Sequence, residues 1–301
     1  MKNVLLTGAD GFIGRRCIPR LVALGYGVHA VSRNPVTSED KNVVWHRIDL
    51  LDSRETAALI KKERPEGVLH LAWYTKHEDF WSSPENLKWV EASTALVRAF
   101  AEHGGKRFVG CGTVGEYEWG HGNCIEDVTP SRPGTLYGSC KIAFKTVLDG
   151  MSLSGDLSTA WGRVFFLYGP NEAPNRLVAS VIRSILQGEP ARCSHGNQIR
   201  DYLHVDDVAD GLTCLFGSSF QGTMNVSSGV PLALKDIINR IGEKLNRPDL
   251  IELGARDAPD GEAPVLVGDN RRLLEHTNWS PGHTLDSGLE DAIRWWKEKL
   301  G

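Results

Sequence analysis

A tyrosine and a lysine stand four residues apart, as Tyr137 and Lys141, in a segment with the composition of a helix. Residues at this spacing lie on one face of a helix, so the phenol and the ammonium group would be neighbours. A free phenol has a pKa near ~10. A positive charge about 4 Å away, at an effective dielectric constant of about 20, supplies roughly the 4 kcal/mol that lowers this pKa by about three units. The pair could then pass a proton to or from a hydroxyl group during hydride transfer. Two solvated side chains on a helix surface would have the same spacing.

A threonine, Thr113, closes the predicted strand that precedes this helix. Its hydroxyl could bond the same substrate oxygen as Tyr137, although a threonine can also do no more than cap a strand. We therefore predict Thr113, Tyr137 and Lys141 as the catalytic residues.

The chain opens with an apolar strand and a G-x-x-G-x-x-G loop at Gly8, Gly11 and Gly14. Glycines permit a tight turn and a close approach of the backbone to a ligand, and the start of the following helix offers free N–H groups to a pyrophosphate. The loop therefore predicts a dinucleotide site. A plain strand-to-helix turn is the alternative.

The second predicted strand ends at Ser32 and Arg33, where an acidic residue would hold the two hydroxyls of an adenosine ribose. A hydroxyl followed by a guanidinium suits a 2′-phosphate, because arginine can bind phosphate with a bidentate fork. The pair favours NADP(H) over NAD(H), unless Arg33 is a solvated surface residue.

Short apolar runs alternate with helical segments through the first half of the chain. We predict strands at 4–7, 28–32, 43–48, 67–72, 107–113 and 161–168, and helices at 11–24, 53–63, 84–103 and 135–153. This alternation is typical of an α/β protein with a parallel sheet. Loops rich in glycine and proline break the pattern after residue 168, where helices at 176–187, 205–216, 234–245 and 285–300 and a strand at 222–227 remain. We assign residues 1–168 and about 205–230 to dinucleotide binding, and about 169–204 and 231–301 to a substrate-binding region.

Composition excludes several classes of protein. The 301 residues carry 34 basic and 38 acidic side chains, a net charge of −4, so nothing favours nucleic acid or an anionic membrane surface as a partner. Apolar runs are too short to span a bilayer. Six scattered cysteines indicate free thiols and no structural zinc site. We expect a cytoplasmic protein without a metal.

The three glycines, Thr113 and the Tyr137/Lys141 pair resemble, in order and spacing, the extended short-chain dehydrogenase/reductases. Within these the chain resembles the NAD-dependent epimerase/dehydratase group that acts on nucleotide sugars. Three later segments are similar to that group: residues 163–170 (RVFFLYGP), 198–209 (QIRDYLHVDDVA) and 269–281, which ends in NWSP. The resemblance covers nearly the whole chain. It implies a Rossmann-type doubly wound parallel sheet, a smaller interwoven C-terminal substrate-binding region and a homodimer.

The resemblance also implies roles for single residues. The backbone N–H groups of Phe12 and Ile13 would face the pyrophosphate, and Arg200 would hold the diphosphate of a nucleotide sugar. Phe166 stands where the family usually has a substrate-binding asparagine. Asp49 and Leu50 would flank the adenine of the cofactor. Leu71 and Ala72 would lie beside its nicotinamide.

Small differences near Thr113 separate the reactions of the resembled group. Its dehydratases carry a glutamate, and its double epimerases a cysteine, where this chain has Gly115. Glu116, one residue on, would point to the other face of an extended segment. Both reactions are therefore disfavoured. A 4-ketoreductase of a nucleotide 4-keto-6-deoxyhexose is favoured, because Ser32 and Arg33 predict an exchangeable NADPH. A C4 epimerase with tightly bound NAD is the alternative enzyme, and a catalytically silent dinucleotide sensor is the alternative outside the enzymes.

Four tryptophans and two histidines fall near the predicted site. The tryptophans could stack on a sugar or a base or fill the core, and the histidines could assist protonation or lie on the surface. Neither set joins the predicted catalytic residues: Trp73, Trp81, Trp89, Trp119, His77 and His121.

Overall fold

The computed structural model describes residues 2–76, 79–155, 157–258 and 261–301. Its strands are β1 (Lys2–Thr7), β2 (Tyr26–Ser32), β3 (Val43–Arg47), β4 (Gly67–His70), β5 (Arg107–Thr113), β6 (Gly122–Cys124), β7 (Ser158–Val164), β8 (Phe166–Tyr168), β9 (Ala191–Arg192), β10 (Ile199–Arg200), β11 (Tyr202–His204), β12 (Gly222–Val226), β13 (Leu232–Ala233), β14 (Ile251–Glu252) and β15 (Val265–Gly268). Its α-helices are α1 (Gly14–Ala23), α2 (Ser53–Glu63), α3 (Glu85–Glu102), α4 (Leu136–Leu153), α5 (Leu177–Leu186), α6 (Val205–Gly217), α7 (Leu234–Lys244), α8 (Arg271–His276) and α9 (Leu285–Leu300). Short 3-10 turns cover Val114–Glu116 and Pro248–Leu250.

The large sheet has seven parallel strands in the order β12-β7-β5-β4-β1-β2-β3. The order reverses between β1 and β4, which opens a crevice at the carboxyl ends of these two strands. Helices α1 and α6 pack in the apolar core on one face, and α2, α3 and α4 pack in the core on the other. This arrangement confirms the predicted Rossmann-type doubly wound sheet.

The predicted strand at 161–168 is wrong in one respect, because it contains two strands. β7 ends at Val164 in the large sheet, whereas β8 pairs with β11 outside it. Phe165 marks the break, and its N–H still donates to the Val226 carbonyl of β12. The composition of residues 161–168, which are apolar apart from Arg163, cannot reveal such a change of partner, because the pairing of each strand depends on distant segments.

The C-terminal region is built around a separate apolar core between α5, α7 and α9. A small mixed sheet, β13-β10-β15-β6, joins it to the first half of the chain, since β6 precedes α4 in sequence. The region is thus interwoven, as predicted. Its assignment to substrate binding stays a prediction. None of the helices in the described ranges has the length and apolarity needed to cross a membrane.

Candidate active site

The glycine loop lies directly over the ends of β1 and β4. Gly8 has a φ of +66°, and a Cβ atom on it would lie 2.9 Å from the backbone nitrogen of Ala72. A Cβ atom on Gly14 would lie 2.0 Å from the Gly8 carbonyl oxygen. The N–H groups of Leu71 and Ala72 donate to the Thr7 hydroxyl at 3.1 and 3.2 Å. Glycine is therefore required at two of the three predicted loop positions. Leu71 and Ala72 lie against the loop, and their contact with the nicotinamide stays a prediction.

Backbone donors at the start of α1 remain open to a ligand. The helix has no side-chain cap and no acidic residue in its first turn. Gly11 N–H donates to the Gly8 carbonyl at 3.0 Å, but no group in the described part of the chain accepts from Phe12 N–H or Ile13 N–H. Free N–H groups at the positive end of a helix bind phosphate. The space beside the glycine loop, which a side chain would fill, and these free N–H groups together fit the pyrophosphate of a dinucleotide.

The ends of β2 and β3 form a shallow depression that contains two guanidinium groups. Arg33 and Arg47 line it together with Ile48, Asp49 and Glu55. Ser32 is paired with Arg47 in the sheet and is buried. The structure thus brings Ser32, Arg33 and Asp49 together, while the side chain of Leu50 is buried in the core.

A hydrogen bond links the depression to the glycine loop. The Asn34 amide donates to the Asp10 carboxylate at 2.9 Å, and the Asn34 N–H donates to the Ser32 hydroxyl at 3.0 Å. Sequence reasoning missed Asn34 and Asp10, because nothing in the spacing of a loop residue shows which distant loop it will meet. The hydrogen bond between Asn34 and Asp10 holds Ser32 and Arg33 beside the glycine loop.

Tyr137 is buried in the first turn of α4, beside the end of β5. Its N–H donates to the Trp81 carbonyl at 3.1 Å. The rings of Phe80 and Trp81 pack edge-on against its ring, with centroids 5.0 and 5.7 Å away. The Thr113 hydroxyl lies near enough to the phenol to lower its pKa, and it accepts from Gly115 N–H at 3.2 Å. Two of the three predicted catalytic residues therefore lie side by side.

Burial raises the pKa of Tyr137 well above its ordinary value, and the nearby Thr113 hydroxyl and the charge of Arg176 only partly oppose this. The expected lowering of this pKa is wrong for the protein alone, because losing water disfavours the phenolate more than the nearby cations favour it. Tyr137 is therefore a neutral phenol, which is the form that can donate a proton.

Lys141 lies one turn further along the same face of α4. Its Nζ donates to the Cys111 carbonyl at 2.8 Å and lies 3.9 Å from the centre of a Trp73 ring. It is 5.9 Å from the centre of the Tyr137 ring. Trp73 and the Cys111 carbonyl thus hold the ammonium group near the Tyr137 ring. Burial lowers the pKa of Lys141 to about 8, so most of it is charged at neutral pH.

Lys141→Met is expected to stabilise the protein at neutral pH. The side chain is 3% exposed, and the shift of its pKa from 10.5 to about 8 corresponds to roughly 3 kcal/mol of unfavourable free energy. The unfolded chain keeps this proton up to a higher pH than the folded chain. The penalty is therefore complete below pH 8 and shrinks as the pH rises towards 10.5.

Urea unfolding of the parent and the Lys141→Met protein at pH 7 and at pH 10 measures this effect. The variant should be the more stable protein by the larger margin at pH 7. A margin that does not change between the two pH values would show that Lys141 carries no buried charge.

Glu116 points away from Tyr137 into the interior. It is fully buried, and its carboxylate accepts from Arg163 Nε at 2.7 Å, from the Trp161 indole at 3.0 Å and from Thr113 N–H at 2.8 Å. Gly115 faces the other way, where a Cβ atom would lie 3.1 Å from the Trp81 ring. The two neighbours differ in orientation, as expected, but the predicted extended segment is wrong, because Val114–Glu116 forms a 3-10 turn capped by Thr113.

Two of the residues predicted to bind substrate, Phe166 and Arg200, lie together. The Arg200 guanidinium is 5.4 Å from the centre of the Phe166 ring. It is buried and donates to Glu262 at 2.7 Å and to the carbonyl of Ile199 at 2.9 Å. Arg200 is therefore held by a carboxylate of its own chain, and its contact with a diphosphate stays a prediction.

Sequence reasoning missed Arg176. Its guanidinium lies 5.5 Å from the centre of the Phe80 ring, and its charge lowers the pKa of Tyr137. Of the four tryptophans, Trp73 and Trp89 are buried in the core. Trp81 packs edge to face against Tyr137 on one side and against Trp119, with ring centroids 5.9 Å apart, on the other. Composition alone could not show which of the four tryptophans lie in the core and which do not. His121 pairs with Glu118 at 3.1 Å, and His77 lies outside the described residues.

Comparison with known proteins places this site in a family. Residues 4–227 match the model of the NAD dependent epimerase/dehydratase family. The chain belongs to this family. The match covers the glycine loop, Thr113 and the Tyr137/Lys141 pair, and it confirms the resemblance to extended short-chain dehydrogenase/reductases that act on nucleotide sugars.

Individual relatives span the whole chain. It is 25% identical to a UDP-glucose 4-epimerase of Mycolicibacterium smegmatis over 99% of both chains. It is also 25% identical to a dTDP-glucose 4,6-dehydratase of Neisseria gonorrhoeae, over 98% of this chain and 95% of the relative. Among solved structures, MoeE5 in complex with UDP-glucuronic acid and NAD is 29% identical, with a TM-score of 0.87 over 99% of this chain and 100% of that chain. These relatives support an enzyme that acts on nucleotide sugars with a nicotinamide dinucleotide. They give no support for NADP over NAD.

Proposed function

We propose that this chain is a 4-ketoreductase, which reduces the keto group of a nucleotide 4-keto-6-deoxyhexose with NADPH. The observation that carries the choice of a reductase is the pair of guanidinium groups, Arg33 and Arg47, beside the buried Ser32. A reductase must exchange its cofactor in every turnover. Arg33 follows the second strand and Arg47 ends the third, in a depression that they share with Asp49 and Glu55. With a serine rather than an acidic residue at position 32, the two arginines suit the 2′-phosphate of NADPH.

The residues around Tyr137 suit ketone reduction. Bound NADPH would supply the hydride. Tyr137, as a neutral phenol, donates the proton that the ketone oxygen needs, and the Thr113 hydroxyl bonds the same oxygen. Lys141 then stabilises the phenolate that remains, at a distance from the ring of 5.9 Å.

Dehydration is disfavoured by the packing at Gly115. A side chain there would require the Trp81 ring to shift, because its Cβ atom would lie 3.1 Å from that ring. The Glu116 carboxylate already accepts hydrogen bonds from Arg163 and from the Trp161 indole. The described chain therefore offers no carboxylate at the position used by the dehydratases that it resembles.

Two arginines, Arg200 and Arg176, are the cations that we assign to the substrate side of the site. We propose that Arg200 exchanges its contact with Glu262 for the diphosphate of the nucleotide sugar, which a guanidinium binds well. Arg176 is the second cation on this side, near Phe80. The homodimer and the cytoplasmic location implied by the resemblance stay predictions.

A C4 epimerase is the second candidate, because the relatives include UDP-glucose 4-epimerases, among them the one of Mycolicibacterium smegmatis given above. An epimerase would keep NAD bound and return the hydride to the same carbon. In that case Arg33 and Arg47 would be surface residues without a ligand.

The decisive assay mixes the purified protein, NADPH and a nucleotide 4-keto-6-deoxyhexose and follows the loss of NADPH absorbance. We expect turnover that depends on the keto-sugar. Epimerisation of a UDP-hexose without added cofactor, and no oxidation of NADPH, would support the epimerase instead. Binding of a dinucleotide with neither reaction would support a sensor.

Arg33→Ala is expected to raise KM for NADPH by roughly 10- to 100-fold, because a charge-assisted hydrogen bond contributes about 1.5–3 kcal/mol. KM for NADH should hardly change, since NADH has no 2′-phosphate. Arg98→Ala, at an exposed position on α3, is the matched control. Equal effects of Arg33→Ala on both cofactors would contradict a 2′-phosphate site.

A further inference from the structure

Two imidazoles and a carboxylate meet at the edge of the large sheet that lies farthest from Tyr137. His29 is on β2, His46 is on β3 and Glu63 ends α2. Nδ1 of His29 is 2.9 Å from Nε2 of His46 and 3.6 Å from a carboxylate oxygen of Glu63. The three atoms all lie within 4.8 Å of one another. His29 is buried, and the other two residues are partly exposed.

The spacing of these atoms suits a tetrahedral metal ion. Zinc binds imidazole nitrogen at about 2.0–2.1 Å and carboxylate oxygen at about 2.0–2.2 Å. In a tetrahedron, ligand atoms at those bond lengths stand about 3.3 Å apart. The two distances from His29 lie on either side of this value. Small side-chain movements would therefore bring all three atoms onto one ion.

The contacts of these side chains also leave ligand atoms for a cation. The 2.9 Å contact between His29 and His46 is a hydrogen bond in which one ring nitrogen carries the proton. An ion would take the place of this proton once that imidazole changes tautomer. Lys62 contacts the other carboxylate oxygen, at 2.9 Å, which leaves the oxygen near His29 free to bind an ion.

We propose that His29, His46 and Glu63 form a binding site for a zinc ion. A water molecule would complete the tetrahedron on the exposed side of His46 and Glu63. The site is independent of the proposed reaction, because it lies between α2 and the strands β2 and β3, away from Tyr137. The scattered cysteines, which argued against a metal, do not bear on it. Its ligands come from three elements with no motif spacing.

A second group of the same kind, formed by His204, Asp206 and His283, is less suited to a metal. His204 Nδ1 accepts from Asp206 N–H at 3.3 Å. Arg16 and Arg20 each lie 3.5 Å from Oδ1 of Asp206. The N–H group that already uses His204 Nδ1, together with the positive charge of these two arginines, makes the group less suited to a cation. This group supplies a control.

The test uses untagged, chelator-treated full-length protein, titrated with Co²⁺ and then with Zn²⁺ as competitor. We expect one equivalent of Co²⁺ with the visible absorption of a tetrahedral ion, displaced by Zn²⁺. Glu63→Gln and His46→Gln should each weaken binding by about 100-fold or more, since even a residue that only supports a metal ligand contributes about 10- to 100-fold. His283→Gln, the matched control, should bind like the parent.

Thermal unfolding gives a second readout. Zn²⁺ at about 100 times its Kd should raise Tm of the parent by roughly 3–5 °C and leave Tm of Glu63→Gln unchanged. Three results would each overturn the proposal: unchanged Co²⁺ binding in Glu63→Gln, loss of binding in His283→Gln, or a thiolate-to-cobalt absorption band, which would place the ion on a cysteine.

Discussion

Tyr137→Phe is expected to lower kcat by about 10³-fold, within the 10²- to 10⁴-fold range of general acid catalysis. The phenol is the one proton donor that the structure places beside Thr113 among the predicted catalytic residues. Phenylalanine keeps the ring that packs against Phe80 and Trp81. Binding of NADPH should therefore be retained, and removing a buried hydroxyl should not unfold the protein.

Single-turnover reduction by Tyr137→Phe, together with titration of NADPH by fluorescence, separates chemistry from binding. Tyr26→Phe is the matched control, because Tyr26 lies at the start of β2 against Phe216 and should keep full activity. Full turnover by Tyr137→Phe would mean that another group donates the proton. Loss of NADPH binding would mean that the hydroxyl positions the cofactor.

Glu116→Gln is expected to lower the free energy of unfolding by about 3–5 kcal/mol, because breaking a buried ion pair leaves an uncompensated charge. Glu116 and Arg163 are almost completely buried, and their ion pair measures 2.7 Å. The glutamine amide could still accept one hydrogen bond. Its NH₂ group would face the Arg163 and Trp161 donors, and a donor cannot satisfy another donor.

Urea unfolding measures this loss. Glu102→Gln is the control, since Glu102 forms an exposed pair with Arg98 and should change stability by less than about 0.5 kcal/mol. The alternative role for Glu116, catalysis, makes the opposite prediction. A Glu116→Gln protein of normal stability that lacks activity would contradict the structural role.

The sequence predicted the parts of the fold whose signals are local. Buried strands such as β1 and β5 are continuous apolar runs, and α2 begins after Asp52, which caps it. Strands of two or three residues, such as β10 and β13, carry no periodicity. They exist because distant segments pair with them, so neither they nor the break between β7 and β8 could be predicted.

The same limit applies to the site. Helical spacing correctly placed Tyr137 and Lys141 on one face of α4, and Thr113 was placed beside Tyr137 by its position at the end of a strand. The positions of Trp73 and the Cys111 carbonyl, which hold Lys141, depend on tertiary packing. The rise in the pKa of Tyr137 depends on burial, which spacing does not give.

Transfer of deuterium from NADPH that is labelled at its transferable position tests the reductase most directly. After one turnover with a nucleotide 4-keto-6-deoxyhexose, mass spectrometry should find one deuterium on carbon 4 of the sugar for each NADPH oxidised. A sugar inverted at that carbon with no deuterium, and NADPH left intact, would contradict the account.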